Sequence, residues 1–498
     1  IRRPPRSTPS NSSAASDVYK RQVLNTIKAS GVVLYPYAHL SPNLAPPETA
    51  ISILKMFEKN LKDLGISVSR APFGWYKEFK LECYGHPLAE LSRTIAPRKD
   101  LFTIEVMMYK PNVGKLVGIK KDELPQHLLN LAETELSSGK VNNVNRGVAE
   151  YFARFGLLYA EKGFVYTKYA QLMLKSFESC ISRLLSRVIN ENALALTLPT
   201  ATPRCLDPRC AEVSESVDKV RLFAELGIDD THVEVWRARL NKPLKIPSGH
   251  ELQEYSLVYF YKKCRGHGEC GELLKQVVNA AGDALRKVIG ERFLMIFRVY
   301  GAEPHTFFQK YEEFLREIAR ETTLATFIRF NTLIPTLEIA LMGVDSVNNP
   351  VNLSRIRLSS YNNALLLHGA MLGSFEEFLY SVIDRQLELS REGKTPTLPT
   401  WLSPVQVRVI PIKKEFVERA REIHRELAEN NIRAEVDDRG VGLGRKMRDA
   451  GRLWIPYLVM IGPREASTGS LTVRVRTSGE QLPMNLSELL EKIRSEQC

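Results

Sequence analysis

Apolar positions along the chain change period several times, and each change marks an element. Val32-Val33-Leu34-Tyr35 is a short β-rich run, and Ala50, Leu54, Phe57, Leu61 and Leu64 then recur at the spacing of one buried helix face until Gly65 stops the helix. Ile66-Ser67-Val68-Ser69 alternates as a strand, so this stretch reads β-α-β. A further extended run, Glu78 to Cys83, is bracketed by a turn at Gly74 and another at Gly85-His86-Pro87. From Gly147 the pattern becomes helical: Tyr169, Met173, Phe177, Ile181, Leu184 and Val188 fall three or four apart, and Leu196-Thr197-Leu198-Pro199 follows as a strand into a proline-ended turn. Beyond residue 404, Val405, Val407 and Val409 alternate as a strand, and Phe416, Ala420, Ile423 and Leu427 make an amphipathic helix. Ala434-Glu435-Val436, Trp454 to Gly462 and Leu471 to Arg476 supply further strands, which predicts a mixed α/β sheet domain.

With 498 residues the chain has room for about three domains. A hydrophobic share of 44% and a charged share of 25% are ordinary for a globular protein, and no apolar run reaches the length of a membrane span, so a cytoplasmic location is expected. The formal charge of +12 points to a polyanionic partner such as RNA. Part of that charge sits in residues 1–22, where Arg2, Arg3, Arg6, Lys20 and Arg21 face a single acid, Asp17, but the body remains basic without them. That segment has a Ser/Pro/Arg bias and no apolar period, which predicts disorder. Its wording, Arg3-Pro4-Pro5-Arg6-Ser7-Thr8 and Ser12 to Gln22, resembles translated adapter DNA joined to a truncated gene, and it is set aside as an artefactual tail.

Seven cysteines occur, four of them in short-spaced pairs: Cys205 with Cys210, and Cys264 with Cys270 flanking His267. Thiolates at such spacing, with a histidine between, can complete a tetrahedral zinc site, although neither pair has the Cys-x-x-Cys form. Disulfides and independent thiols fit the same spacing.

The residues that carry the most chemistry lie between Tyr35 and Arg93. Tyr35-Pro36-Tyr37-Ala38-His39-Leu40-Ser41, together with Arg70-Ala71-Pro72-Phe73-Gly74-Trp75-Tyr76-Lys77-Glu78-Phe79-Lys80-Leu81-Glu82-Cys83 and the following turn, resembles the N-terminal proofreading domain of archaeal threonyl-tRNA synthetases, a fold shared with D-aminoacyl-tRNA deacylases. The resemblance implies hydrolysis of the ester of seryl-tRNA(Thr). It also implies roles: Lys77 polarises the ester carbonyl, His39 positions water or the amino acid, Glu90 orients Lys77 or binds the substrate amine, and Tyr76 completes the catalytic set. Tyr37, Ala38, Phe73 and Gly74 are the expected substrate-binding positions. Outside such a motif a lysine at a turn is ordinarily a solvated charge. A separate editing site has a physical reason: serine is threonine less one methyl, and a pocket rejects the smaller side chain by only about 10- to 200-fold. In the family this domain begins further upstream, so residues 23–99 are expected to be its second half, with 100–146 as a connector.

The helix and proline-ended strand after Gly147 resemble the dimer-forming first motif of class II aminoacyl-tRNA synthetases, which implies a homodimer. The second class II motif needs an Arg two residues before a Glu, and the matching slot, Trp236-Arg237-Ala238-Arg239-Leu240 through Ser248-Gly249-His250, lacks that pair. The third motif ends Gly-Ser-x-Glu-Arg, whereas this chain reads Gly373-Ser374-Phe375-Glu376-Glu377. Glu377 replaces the Arg that pairs with the γ-phosphate of ATP, so a like charge repels the triphosphate. Intact relatives bind zinc through one Cys and two His, and Leu365-Leu366-Leu367-His368 matches the last of these. Pro399-Thr400-Trp401-Leu402-Ser403-Pro404 through Ile412 resembles the opening of the class IIa anticodon-binding domain, within which Arg445, Lys446, Arg474 and Arg476 are candidate tRNA contacts.

The expected architecture is α/β and α+β multidomain: a partial deacylase-like editing domain at 23–99, a class II synthetase-like antiparallel sheet core at 147–403 and an anticodon-binding α/β domain at 404–498. The expected function is trans-editing of mischarged tRNA(Thr) without aminoacylation, beside a separate aminoacylating synthetase. Editing needs no cofactor, zinc is a candidate structural metal, and ATP binding is expected to be impaired. The alternatives are an active ATP-dependent threonine-tRNA ligase and a non-catalytic tRNA-binding scaffold.

Overall fold

The computed structural model of the chain describes residues 31–36, 47–63, 65–74, 102–119, 126–137, 145–160, 163–189, 194–195, 231–320, 323–330, 334–361 and 364–498. It divides into two units, Ile1–Phe102 and Thr103–Cys498.

In the first unit, strand Val32–Leu34 leads to helix Pro47–Asp63 and then to strand Val68–Arg70. The two strands pair in parallel, Val32 opposite Val68, which is the β-α-β order of the sequence pattern. The second strand starts later than the alternation suggests, because the chain first has to close the helix. Gly65 takes φ +74 and donates to Lys62 O, and Ile66 N–H returns to Leu61 O at 3.1 Å. Glu58 binds both Lys62 and Arg70 at 2.8 Å, tying the helix to the second strand.

The second unit is built on a ten-stranded sheet. Its order is 115–118, 102–110, 323–330, 293–301, 336–344, 350–361, 364–370, 251–264, 232–245 and 194–195. Most neighbours are antiparallel, and 293–301 with 323–330 and 194–195 with 232–245 run parallel. The stretch expected as a connector therefore supplies two strands of this sheet, Phe102–Lys110 and Lys115–Gly118, and a helix, Gln126–Ser137.

Side-chain alternation divides the sheet into two faces of different chemistry. On one face Phe297, Val299, Leu337, Ile339, Ile356, Leu358, Leu365 and Leu367 merge with three helices, Lys168–Ile189, His267–Ile289 and Phe375–Arg391, into one apolar core. Each helix faces it with a 3–4 stripe, as in Met173, Phe177, Cys180, Ile181 and Leu185, or Leu274, Val277, Ala281, Leu285 and Val288. The intervening positions point the other way. There Ile296, Leu324, Ala340 and Met342 pack with Leu131 and Ala132 of helix Gln126–Ser137, and Tyr259, Tyr261, Leu366 and Ala370 pack with Ile334.

The C-terminal domain has the predicted mixed sheet, in the order 434–436, 407–411, 457–461, 471–475 and 481–484. The first three strands are parallel and the last two antiparallel. Ala420, Ile423 and Leu427 of helix Val417–Glu429 and Leu489, Leu490 and Ile493 of helix Leu486–Ser495 bury against this sheet. Trp454 lies against Tyr151 and Phe155, with ring centroids 4.7 and 5.5 Å away, and joins the two parts of the unit. Among the described residues no helix is long and apolar enough to cross a membrane.

Candidate functional site

A line of polar side chains crosses the second face of the large sheet at one register. Thr326, Arg298, Glu338, Arg357, His368 and Tyr261 are successive direct partners on adjacent strands. All are buried; Arg298 is 4% exposed and Glu338 1% exposed. At such depth a charge is tolerated only when it is paired. Arg298 donates from Nε and Nη2 to the two carboxylate oxygens of Glu135, at 2.9 and 2.7 Å, and from Nη1 to Glu338 Oε1 at 2.5 Å. The other oxygen of Glu338 accepts from Arg357 Nε at 2.6 Å. Burial alone opposes ionisation of Glu338, but the adjacent Arg357, Arg298 and Arg355 outweigh it and hold the carboxyl well below the usual range.

The chain of contacts continues through hydroxyls and an imidazole. Arg357 Nη1 donates to Tyr259 OH at 3.2 Å, and that hydroxyl is hydrogen-bonded to His368 Nδ1 at 2.8 Å. His368 Nε2 is hydrogen-bonded to Ser359 Oγ at 2.9 Å, and Ser359 meets Thr336 Oγ1 at 2.8 Å. Burial, reinforced by the positive charge of Arg357, pushes the His368 pKa down to about 3, so the ring is neutral. Both of its nitrogens are committed to hydroxyls, which leaves none for a metal.

The start of helix Phe375–Arg391 adds a second buried group. Ser374 caps the helix, its Oγ accepting from Glu377 N at 3.2 Å and donating to Glu377 Oε2 at 2.8 Å. Glu377 is 8% exposed, and burial raises its pKa despite the nearby Arg355. Glu376 is 1% exposed and accepts from Ser256 N–H at 3.0 Å and from the Tyr166 hydroxyl. Burial lifts its pKa to about 7. The helix start thus carries two enclosed carboxyls, Glu376 at the position of the third class II motif's glutamate and Glu377 at that of its arginine. No Arg-x-Glu pair occupies the hairpin of strands His232–Lys245 and Glu251–Cys264, where the second motif is expected.

The sequence-predicted residues fare differently. Tyr37, Ala38, His39, Tyr76, Lys77, Glu90, Cys205 and Cys210 lie outside the described residues. Phe73 and Gly74 sit in a turn just after strand Val68–Arg70, with Gly74 at φ +82. Cys264 and Cys270 do not join His267 as a ligand set: they form a disulfide with each other, and His267 Nδ1 meets the Tyr311 hydroxyl. Cys264 ends a strand and Cys270 lies in the first turn of the next helix, which brings their Cα atoms to 5.4 Å. Among the described residues no three His, Cys, Asp or Glu side chains gather as a metal site.

Of the four candidate basic contacts, Lys446 is a correction. It is 5% exposed and donates from Nζ to Pro411 O at 3.1 Å. Helix Leu443–Arg452 turns Leu443, Met447 and Ala450 inward, which carries Lys446 with them and leaves Arg445 and Arg448 exposed. Arg474, half-buried, lies on strand Leu471–Val475. Arg476 lies just past it and is tethered through Nε to Pro396 O at 2.7 Å. No sequence motif pointed to the buried ion pairs. Their signal is a single charge inside an otherwise apolar strand, Arg298 in Phe293–Gly301 and Glu338 in Thr336–Val344.

Comparison with known proteins bears on these features. Residues 7–95 match the family described as the Archaea-specific editing domain of threonyl-tRNA synthetase, and residues 406–496 match the anticodon binding domain family. The chain is 30% identical to a threonine–tRNA ligase of Thermofilum pendens over 538 aligned positions, covering 97% of this chain and 87% of that protein. A threonine–tRNA ligase of Caldivirga maquilingensis is also 30% identical, over 95% of this chain and 86% of that protein. Among solved structures, the RNA binding domain of threonyl-tRNA synthetase from Cryptosporidium parvum superposes with a TM-score of 0.54 at 15% identity, covering 71% of this chain and 98% of that one, a likeness of fold.

Proposed function

From the premise that this chain belongs to the archaeal-type threonyl-tRNA synthetase family, we propose that it edits tRNA(Thr) in trans, hydrolysing the ester of seryl-tRNA(Thr), and does not form threonyl-adenylate. The observation that carries the second half is Glu377. Transfer to and from ATP rests on cations placed against the phosphates. At this position the chain offers a carboxyl enclosed by its own cap, hydrogen-bonded to Ser374. The polar face of the sheet supports the same reading, because Arg298 and Arg357, the cations on its central rung, are already spent on Glu135 and Glu338.

In this reading the editing domain does the chemistry. Lys77 stabilises the charge that develops on the ester carbonyl oxygen, His39 places the attacking water, Glu90 orients Lys77, and the 2′-hydroxyl of the terminal ribose assists. Tyr76 completes this catalytic set, and Tyr37, Ala38, Phe73 and Gly74 shape the pocket for serine. The class II-like core serves docking and dimerisation, and the C-terminal domain holds the anticodon arm. Two assays separate the parts. Seryl-tRNA(Thr) should be deacylated by the protein, and Lys77→Met should lower that rate by at least about 100-fold; an unchanged rate removes Lys77 from the mechanism.

A second reading, an active threonine–tRNA ligase, is favoured by the near full-length similarity to proteins that carry that name. Threonine-dependent exchange of pyrophosphate into ATP decides between the two. Absence of exchange is expected; exchange at rates typical of a synthetase overturns the reading of Glu377.

A further inference from the structure

A cleft of about 540 Å³ lies where the class II-like core meets the C-terminal domain. Leu184 and Arg187 of the long core helix line it together with Trp401, Tyr457 and Cys498. Cys498 is bonded through sulfur to Cys180, which projects from the middle of helix Lys168–Ile189, with Cα atoms 5.4 Å apart. The bond spans 318 positions of sequence. The tail that carries Cys498 is held on both sides: Glu496 accepts from Tyr457 OH at 2.6 Å and from the Thr400 hydroxyl, and Gln497 accepts from Arg183 of the core helix.

We propose that Cys180 and Cys498 form a reversible redox strap that locks the C-terminal domain onto the core, and that the cleft is the path by which a small thiol reaches it. The geometry separates this cystine from the other one. Cys264–Cys270 closes six positions within the core and constrains only a strand-to-helix turn. Cys180–Cys498 joins two differently folded parts across their seam, so its state governs how far they can part. Both sulfurs are buried, Cys180 at 0% and Cys498 at 7% exposure, and of the two only Cys498 borders the cleft, so a thiol entering there meets the Cys498 side first.

The chemistry is thiol–disulfide exchange. In closure, the Cys498 thiolate attacks a low-molecular-weight disulfide and expels one thiolate, forming a mixed disulfide. The Cys180 thiolate then attacks the Cys498 sulfur and expels the second. Two protein thiols are oxidised, the small disulfide is reduced to two small thiols, and the two protons leave with them. Opening is the reverse, driven by excess small thiol.

The test uses the whole chain equilibrated in glutathione buffers of graded composition, quenched by acid, alkylated in denaturant without reductant and digested. In oxidising buffer a peptide containing Cys180 linked to one containing Cys498 is expected. It should disappear as reduced glutathione rises, with two newly alkylated thiols in its place while the protein stays folded by circular dichroism. Cys180→Ser and Cys498→Ser should each abolish the linked peptide, and Cys270→Ser should leave it intact. Free alkylation of both cysteines in oxidising buffer overturns the strap. A linked peptide that persists in the folded protein under excess glutathione, yet disappears when reductant is added in denaturant, overturns its reversibility and the role of the cleft.

Discussion

Glu376 is a buried acid held by neutral donors, the Tyr166 hydroxyl and Ser256 N–H. Its pKa of about 7 lies above the ordinary 4.5, so between those values the folded protein holds a proton that the unfolded chain releases. Stability contributed by this group is therefore full below pH 4.5 and is lost as pH rises through 7, by about 3 kcal/mol in all. Glu376→Gln should flatten that fall, which urea midpoints measured at pH 5 and pH 8 would reveal; an identical fall in the variant removes Glu376 as its source. The opposite sign holds for Glu338. Its carboxyl is held low by Arg357 and Arg298, so its contribution is present above pH 4.5 and lost below it. Arg298→Met removes the guanidinium shared by Glu135 and Glu338, leaving Glu338 with Arg357, and should destabilise the fold by about 3–5 kcal/mol, read from the same urea curves.

At the scale of elements, sequence pattern was a good guide where one period persisted and one face was buried. Helix Lys168–Ile189 and helix Val417–Glu429 lie where Met173, Phe177 and Ile181, and Ala420, Ile423 and Leu427, put them, and four strands of the C-terminal sheet follow the read runs, whereas the fifth, Gln481–Met484, carried no such signal. The same logic, carried one step further, would have placed Lys446 inside, since Leu443, Met447 and Ala450 already define the buried side of its helix. Strands Phe102–Lys110 and Lys115–Gly118 were not legible, because their place in the sheet is fixed by a partner, Thr323–Phe330, far away in sequence. The buried lattice was half-legible: lone charges in apolar strands announce a partner, but only the register pairs Arg298 with Glu338 and Glu338 with Arg357. The placement of the basic residues gives a sharper expectation than their number. Replacing Arg445 and Arg474 together by alanine should weaken tRNA binding and reduce its salt dependence by roughly one unit for each phosphate no longer neutralised, in filter-binding titrations. Lys446→Ala should instead lower stability, because Pro411 O is deprived of its buried donor.

For the whole molecule, the long loop closed by Cys180–Cys498 makes it the cystine whose reduction matters more. Loop entropy grows with the logarithm of the closed length, so reducing it should lower the thermal midpoint more than reducing Cys264–Cys270, as scanning calorimetry of Cys498→Ser and Cys270→Ser would compare. The order of the large sheet carries a consequence for synthesis. Strand Phe102–Lys110 leaves the ribosome some two hundred residues before Thr323–Phe330, the strand it must join. Lys115–Gly118 can cover one edge almost at once, but at about 5–20 residues per second the other edge waits roughly ten to forty seconds for its neighbour. This is the interval in which a growing polypeptide is open to premature aggregation and to capture by chaperones, and it is set by strand order alone.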